Sequence, residues 1–376
     1  MCKIKFTQTF DMKYVIANTS YFQDGKRKKN QDILIDGPNI IEITNAKTNT
    51  PNPSLSVPGF IDLQIYGAGG KLFSAEPTLE SLTIIEDDLL KKGTTAFLAC
   101  MATNTPEVFN SCIATAKEYR SAARNFKGLH LEGPFLNPKR LGAHIPEFVR
   151  KATLNEIKEL LDFGDGVIKM MTIAPECQDD EVIQYLLDNG VVVSLGHSNA
   201  TFEEATDAYN KGIQTTTHLF NAMSPVHHRE PGIPTAVFSH DKARASIIAD
   251  GQHVDYEVVK FAKKLLKERL FLITDAVTEC STGPYQHVKN GDKYVMPNGT
   301  LSGSSLTMLQ AVQNCVSRCG IELNEAINMG TKYPADLIGI DQLTATIAPG
   351  NEANLLILDD SLNLKEVIFR GEKISI

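Results

Sequence analysis

Four apolar, β-branched runs of this 376-residue chain are each followed closely by a short polar segment. Such runs are typical of buried strands, and in parallel α/β folds the functional side chains collect where the strands end. The pattern therefore predicts a parallel sheet with polar side chains gathered at one edge. The runs are 128–131, 191–195, 214–217 and 270–273, and the polar residues that follow them are Glu132, His197, His218 and Asp275.

The spacing of these residues indicates how many strands the sheet contains. Successive candidates are separated by 65, 21 and 57 residues. One βαβ repeat takes roughly 30 residues, so the steps correspond to two units, one unit and two units. The remaining strands are predicted at 60–65, 95–100, 168–173 and 245–249. The predicted fold class is α/β, an eight-stranded (β/α)8 TIM-like barrel with polar residues at the ends of strands 1, 3, 5, 6 and 8.

The chain is longer than one barrel requires, so a second small module is expected. Residues 1–57 alternate between apolar and polar, with turn signals at 24–25 and 37–38, and residues 345–376 show the same alternation. Neither end alone carries enough apolar surface for a core. We therefore predict one small β-sheet or sandwich domain built from 1–57 and 345–376, with the barrel at 58–344.

Composition argues against several classes of partner. The net charge of −8 and the pI near 5.6 disfavour nucleic acid as a main partner. No apolar stretch reaches the length of a membrane span, and the N-terminus lacks the apolar core of a signal peptide. Of seven cysteines only Cys315 and Cys319 lie close in sequence, where a reduced pair is favoured over a metal site. The sequence predicts a cytoplasmic protein with no nucleic-acid or membrane partner.

Two imidazoles and a carboxylate form a common ligand set for a catalytic metal ion, and a further carboxylate stays free for proton transfer. Taken singly, Glu132, His197 and His218 are more simply explained as structural residues. Together, at the ends of three strands of one barrel, they favour a metal site and predict a metal-dependent hydrolase. Ser198, beside His197, is expected to cap the helix predicted at 201–211.

Further motifs accompany these segments. They are HLEGPFLN at 130–137, GAH at 142–144, LGHS at 195–198, THLFNAM at 217–223, HREPG at 228–232, DGQH at 250–253, GSSLT at 303–307, and PG with ANL at 349–355. In order and spacing the set resembles the N-acetylglucosamine-6-phosphate deacetylases of the amidohydrolase superfamily, from about Pro58 to the C-terminus. The resemblance implies a (β/α)8 barrel, a small β domain from both termini and a homodimer. It implies an amino-sugar catabolic hydrolase that cleaves the linear amide of N-acetyl-D-glucosamine 6-phosphate, giving D-glucosamine 6-phosphate and acetate.

The resemblance also implies roles for individual residues. Glu132, His197 and His218 are implied to be the metal ligands, and Asp275 the catalytic acid–base residue. Arg229 is implied to reach into the site of the neighbouring subunit, where a guanidinium suits a phosphomonoester. The implied substrate contacts are His144, Asn221, Ala222, Arg229 and His253.

The strand-1 segment departs from many amidohydrolases, which carry a His-x-His motif there for a second metal. This chain has Gln64 and Tyr66 instead. Amide and phenol groups are poor replacements for imidazole as ligands of a borderline-soft divalent metal ion. We therefore expect one divalent ion per subunit, with zinc favoured and iron or another divalent ion left open.

The expected mechanism follows from these charges. Metal-bound water is the nucleophile, and Asp275 takes its proton and returns it to the departing amine. A donor such as His144 assists as negative charge builds on the acetamide oxygen. Two alternatives stay open: another amidohydrolase, such as a dihydroorotase-like cyclic amide hydrolase, and a non-catalytic scaffold of the same fold. The phosphate-type residues Arg229 and Asn221 count against the first.

Overall fold

The computed structural model describes residues 13–47, 54–340 and 345–376. The chain forms two compact units, one from Met1–Gly59 with Asp341–Ile376 and the other from Phe60–Ile340. The limit expected for the barrel at residue 344 lies outside the described residues.

Strands and helices alternate through most of the larger unit. In chain order the strands are β1 (Lys13–Gln23), β2 (Lys26–Asp36), β3 (Asn39–Asn45), β4 (Leu55–Pro58), β5 (Phe60–Ile65), β6 (Gly67–Ala68), β7 (Lys71–Leu72), β8 (Thr94–Met101), β9 (Phe126–Glu132), β10 (Ile168–Ile173), β11 (Val192–Leu195), β12 (Thr215–Thr216), β13 (Arg244–Ile247), β14 (Leu270–Leu272), β15 (Val288–Asn290), β16 (Lys293–Val295), β17 (Leu301–Ser304), β18 (Leu355–Leu358), β19 (Leu364–Phe369) and β20 (Glu372–Ile374). The α-helices are α1 (Leu79–Lys91), α2 (Pro106–Tyr119), α3 (Leu154–Gly164), α4 (Asp180–Asp188), α5 (Phe202–Asn210), α6 (Gly232–Ser239), α7 (Tyr256–Leu266), α8 (Met308–Ser317), α9 (Leu323–Gly330) and α10 (Lys332–Ile338).

The smaller unit is a sheet to which both ends of the chain contribute. Its strand order is β20-β19-β18-β4-β1-β2-β3, so C-terminal strands pair directly with an N-terminal one. The turn between β1 and β2 uses Asp24 and Gly25, both with positive φ. Two-residue hairpin turns need this conformation to match the right-handed twist of the strands that they connect. Its core contains Ile33, Leu355 and Ile368. The predicted small β domain from both termini is confirmed.

The larger unit holds an eight-stranded parallel sheet in the order β14-β13-β12-β11-β10-β9-β8-β5. Its two outer strands, β14 and β5, are joined near their carboxyl ends, where the Asp275 N–H donates to the Gln64 carbonyl and the Tyr66 N–H to the Ala276 carbonyl, each at 2.9 Å. These bonds close the sheet, which confirms the predicted (β/α)8 barrel.

One buried carboxylate fixes the start of β9, the strand that ends at the first candidate ligand. Glu86 of α1 is 1 % exposed. It accepts hydrogen bonds from the backbone N–H groups of Arg124, Asn125 and Phe126 at 2.8, 2.8 and 3.0 Å. It also accepts from the Tyr119 hydroxyl at 2.8 Å. The carboxylate therefore satisfies three consecutive donors at the point where the chain enters the barrel.

We expect Glu86→Ala to lower the free energy of unfolding by about 3–5 kcal/mol, because it leaves backbone donors unpaired and breaks an ion pair with Arg124. Urea denaturation measures this change. Asp87→Ala is the matched control, since Asp87 pairs with the same arginine but its side chain is 47 % exposed; its effect should stay below about 1 kcal/mol. Equal effects of the two substitutions would contradict this assignment.

The six cysteines within the described ranges are free, and Cys315 and Cys319 are both buried; Cys2 lies outside those ranges.

None of the helices in the described part of the chain has the length and apolar character that a membrane crossing requires.

Candidate metal centre and active site

A cavity of about 280 Å³ lies where the barrel strands end. Glu132 is the last residue of β9, and the other three candidates stand two or three residues beyond β11, β12 and β14. Eight of the nine residues singled out from the sequence line this cavity: Glu132, His144, His197, His218, Asn221, Ala222, His253 and Asp275.

The backbone at four of these residues is unusual. The φ values are 46° at His197, 31° at His218, 47° at Ala222 and 53° at Asp275, a region that residues other than glycine rarely adopt. Such strain persists only where surrounding bonds hold it, and it is common at functional sites. Here the Ser246 hydroxyl accepts from the His218 N–H at 2.8 Å.

Three ligand atoms converge at the floor of the cavity. His197 Nε2 and His218 Nε2 are 3.0 Å apart, and Glu132 Oε1 lies 3.3 Å from the first and 3.0 Å from the second. A tetrahedral ion with bonds of about 2.0–2.1 Å separates its ligand atoms by about 3.3 Å. The three residues therefore fit a divalent metal ion in composition and in spacing.

A hydrogen bond outside the cluster orients the imidazole of His197, whereas His218 Nδ1 is buried without a hydrogen-bond partner among the described residues. His197 Nδ1 lies 2.9 Å from the Arg140 carbonyl, so it carries the proton and leaves the Nε2 lone pair facing the cluster. Burial lowers the pKa of His197 to about 4, which keeps the ring neutral, as a ligand must be. Burial is the largest single influence on the pKa of His218 and lowers it, but the hydrogen bond to Glu132 and the charges of Glu132 and Asp275 together raise this pKa above its ordinary value.

Glu132 carries the negative charge of the cluster. Burial alone would raise its pKa, yet contacts with His197, His144 and His218 hold it well below the usual range. The carboxylate is therefore ionised and available to a cation.

His144 lies close enough to Glu132 and His197 to be considered a fourth ligand. However, the Thr103 N–H donates to His144 Nδ1 at 3.3 Å, so the proton of the neutral ring is on Nε2. That nitrogen lies 3.2 Å from Glu132 Oε2 and donates to it. We therefore assign His144 as a hydrogen-bond donor beside the cluster, not as a ligand.

The two strand-1 residues hold the carboxylates together. Gln64 Nε2 donates to Glu132 Oε1 at 2.9 Å and to Asp275 Oδ1 at 2.7 Å. The Tyr66 hydroxyl donates to Glu132 Oε2. The amide therefore ties Asp275 to a candidate ligand at the position where a His-x-His motif would bind metal.

The carboxyl of Asp275 stands at the mouth of the barrel. Its burial and the charge of Glu132 raise its pKa, while the nearby His218, His253 and His197 oppose this rise. A carboxylate whose proton affinity is increased is suited to accept a proton and give it back.

The remaining candidates divide into two groups. His253 Nδ1 is 2.6 Å from Asp250 Oδ2, which orients the ring at the cavity wall. Asn221 and Ala222 follow His218 along the same wall. Arg229, in contrast, is exposed and does not line this chain's cavity. Its role toward a neighbouring subunit stays a prediction.

Ser198 does not cap the helix after it, contrary to expectation. Thr201 is the N-cap of α5 and forms a capping box with Glu204. The Ser198 hydroxyl instead donates to Glu176 at 2.7 Å, which braces the segment next to His197.

Comparison with known proteins agrees with the fold. The model of the amidohydrolase family matches residues 55–374. The chain belongs to the amidohydrolase family. It is 34 % identical over 380 residues to the N-acetylglucosamine-6-phosphate deacetylase of Haemophilus influenzae, covering 96 % of this chain and 99 % of that relative. It is 35 % identical over 326 residues to the N-acetylgalactosamine-6-phosphate deacetylase of Shewanella, covering 84 % and 82 %.

A solved relative shows the same architecture. The N-acetylglucosamine-6-phosphate deacetylase of Pasteurella multocida superimposes with a TM-score of 0.91 at 32 % identity, covering 97 % of this chain and 100 % of that one.

One wall of the cavity of this amidohydrolase was not predicted. β15, β16 and β17 form a small antiparallel sheet between β14 and α8. The Ser304 N–H donates to the Asp275 carbonyl at 2.9 Å, which attaches this sheet to the barrel mouth. Tyr285, His287 and Ser302 from this region line the cavity. The segment is rich in Gly, Pro and polar residues, which from sequence alone indicates loop.

Proposed function

We propose that this amidohydrolase deacetylates N-acetyl-D-glucosamine 6-phosphate to D-glucosamine 6-phosphate and acetate. The observation that carries the proposal is the convergence of Glu132 Oε1 with His197 Nε2 and His218 Nε2, at 3.0–3.3 Å from one another, in the cavity that Asp275 also lines. The Haemophilus and Pasteurella relatives, which bear this activity in their names, support the choice of substrate.

Each residue of the site has a part in the proposed chemistry. A divalent ion held by Glu132, His197 and His218 would activate water and polarise the acetamide carbonyl. Asp275 accepts the proton of the attacking water and delivers it to the nitrogen as the C–N bond breaks, because an unprotonated amine leaves poorly. His144 lines the cavity, and its Nε2–H, which donates to Glu132 Oε2 in the structure, would donate instead to the acetamide oxygen as negative charge grows there.

A single ion, with zinc favoured and iron or another divalent metal open, is supported by the strand-1 contacts. Gln64 donates its amide hydrogens to both Glu132 and Asp275, and a donor nitrogen does not bind a cation. Tyr66 occupies the remaining space beside Glu132 as a further donor. Both residues thus replace a second metal by hydrogen bonds.

We propose that the phosphate is bound by Asn221, Ala222 and His253 and by Arg229 of the second subunit of a homodimer. The exposure of Arg229 on the segment before α6 supports a contact outside its own cavity. We also propose that 58–344 is the catalytic barrel, that 1–57 with 345–376 is its accessory β domain, and that the protein is cytoplasmic. Its free cysteines support the last point.

N-acetyl-D-galactosamine 6-phosphate is a second candidate substrate, because the Shewanella relative named for it is 35 % identical to this chain. The two sugars differ only at C4, so the reaction and the metal centre serve either one. A cyclic amide hydrolase would use the same cluster, but a phosphate site would have no purpose in it. A non-catalytic scaffold would not need to keep both the three ligand atoms and Asp275.

Hydrolysis of a panel of compounds tests the proposal, followed as acetate release from the acetamido sugars and as ring opening of dihydroorotate. The panel contains both 6-phosphates, unphosphorylated N-acetyl-D-glucosamine and dihydroorotate, each tested with the metal-loaded protein. We expect the highest kcat/KM for N-acetyl-D-glucosamine 6-phosphate and a large loss without the phosphate. A higher kcat/KM for the galactosamine compound would select the second candidate. Activity on dihydroorotate alone, or on no compound, would refute the proposal.

A further inference from the structure

One imidazole at the cavity wall has no role in the chemistry above. His287 lines the cavity and is only 6 % exposed. Its Nδ1 lies 3.0 Å from the Ser302 hydroxyl. Its Nε2 makes no hydrogen bond with any group of the described residues. The open nitrogen therefore marks a point where a molecule in the cavity can be bound.

The ring is held in place before any ligand arrives. The backbone of His287 pairs with that of Cys280 through two hydrogen bonds of 2.9 and 3.2 Å. The ring stacks on Tyr285 with the centroids 6.4 Å apart and the planes inclined by 18°. The Tyr285 hydroxyl in turn donates to the Thr103 carbonyl at 2.7 Å. A contact made by His287 is consequently preorganised.

The charge state of His287 indicates what kind of group it recognises. Burial lowers the pKa of His287 to about 4, so the ring is neutral near pH 7. Phosphate monoesters are bound by cations and charge-assisted donors, and the proposed phosphate contacts come from other residues. A neutral imidazole is matched to a neutral hydroxyl, of which the amino sugar has three, at C1, C3 and C4.

We propose that His287 is a specificity-determining residue that binds one ring hydroxyl of the amino-sugar substrate through Nε2. This inference rests on the proposed function and extends it, because it assigns a residue that recognises the sugar ring itself. Ser302 and Tyr285 act as positioning residues that set the orientation of the ring.

Two variants and four substrates test this inference. His287→Phe keeps the ring stack but removes the nitrogen, while His287→Gln returns a polar group near the Nε2 position. The substrates are N-acetyl-D-glucosamine 6-phosphate and its 1-, 3- and 4-deoxy analogues. We expect His287→Phe to lower kcat/KM for the parent compound about tenfold, the effect of one ordinary hydrogen bond, and His287→Gln to recover part of the loss.

The analogues distinguish contact from packing. Wild type should lose about tenfold in kcat/KM on the one analogue that lacks the bound hydroxyl. On that analogue the kcat/KM of His287→Phe should equal that of wild type. On the other two analogues His287→Phe should stay about tenfold below wild type. If His287→Phe lowers kcat/KM equally on all four substrates, or lowers it on none, the inference is overturned. If His287→Phe fails to fold, the same comparison with His287→Leu, which also removes the nitrogen, decides the matter. A wild type inactive on the parent compound would overturn the proposed function and, with it, this inference.

Discussion

The variant Asp275→Asn should fold, keep its metal and bind N-acetyl-D-glucosamine 6-phosphate, yet turn it over at least about 10²–10⁴-fold more slowly than wild type. Asparagine preserves the shape of the side chain, and its oxygen still accepts from Gln64, which lies 2.7 Å from Asp275 Oδ1. What the amide cannot do is take a proton from water and return it to the departing amine. The loss should therefore appear in kcat and leave substrate affinity close to normal.

Elemental analysis and a binding titration of the same preparation separate the possible roles of Asp275. Activity lost only in step with metal would make the residue a ligand. Near-normal turnover would remove it from the chemistry. Gln64→Leu serves as a comparison, because it removes the tether at Asp275 but leaves the carboxylate; its turnover should fall by less than that of Asp275→Asn.

Arg229→Ala should weaken binding of the phosphosugar strongly. Each charge-assisted hydrogen bond lost costs about 1.5–3 kcal/mol, which corresponds to about 10- to 150-fold in affinity. KM should rise for the 6-phosphate and change little for the unphosphorylated sugar. His228→Ala is the matched control, since this neighbour lies in the same exposed segment and leaves the guanidinium in place. An equal effect of both variants would contradict a specific role of Arg229.

Mixing the weakly binding Arg229→Ala variant with the slow Asp275→Asn variant tests whether Arg229 acts across the dimer. When Arg229→Ala and Asp275→Asn chains exchange subunits, one site of the heterodimer receives Asp275 from the first chain and Arg229 from the second. That site is complete, while the other carries both lesions. Activity should then return at up to half of the heterodimer's sites. If exchange is demonstrated and no activity returns, Arg229 does not complete the partner's site.

The sequence was sufficient for the barrel because its strands are long apolar runs in regular order. The runs at 60–65 and 168–173 coincide with β5 and β10. Residues at the carboxyl ends of the barrel strands all face the same end of the barrel, so it could also be predicted that Glu132 and His197 line one cavity. Strand order and strand ends follow from the periodicity of the sequence and do not depend on individual side-chain contacts.

Features that depend on side-chain contacts could not be predicted in this way. The donor role of His144 is set by the Thr103 backbone, which is distant in sequence. The bond from Ser198 to Glu176 replaced the expected cap for a similar reason, since a carboxylate that is distant in sequence competes with a helix N-terminus for one hydroxyl. The wall with His287 comes from a short sheet whose strands of three or four residues carry no clear alternation.

Titration of metal-free protein with zinc, followed by the rate of acetate release from N-acetyl-D-glucosamine 6-phosphate, shows whether a single ion at this cluster supports catalysis. We expect activity to rise linearly and to reach a plateau at one equivalent per chain. We also expect that a His197→Ala variant, deprived of one of the three ligands, neither retains the ion nor gains activity. A plateau at two equivalents, or full activity without any metal, would contradict the single site formed by Glu132, His197 and His218.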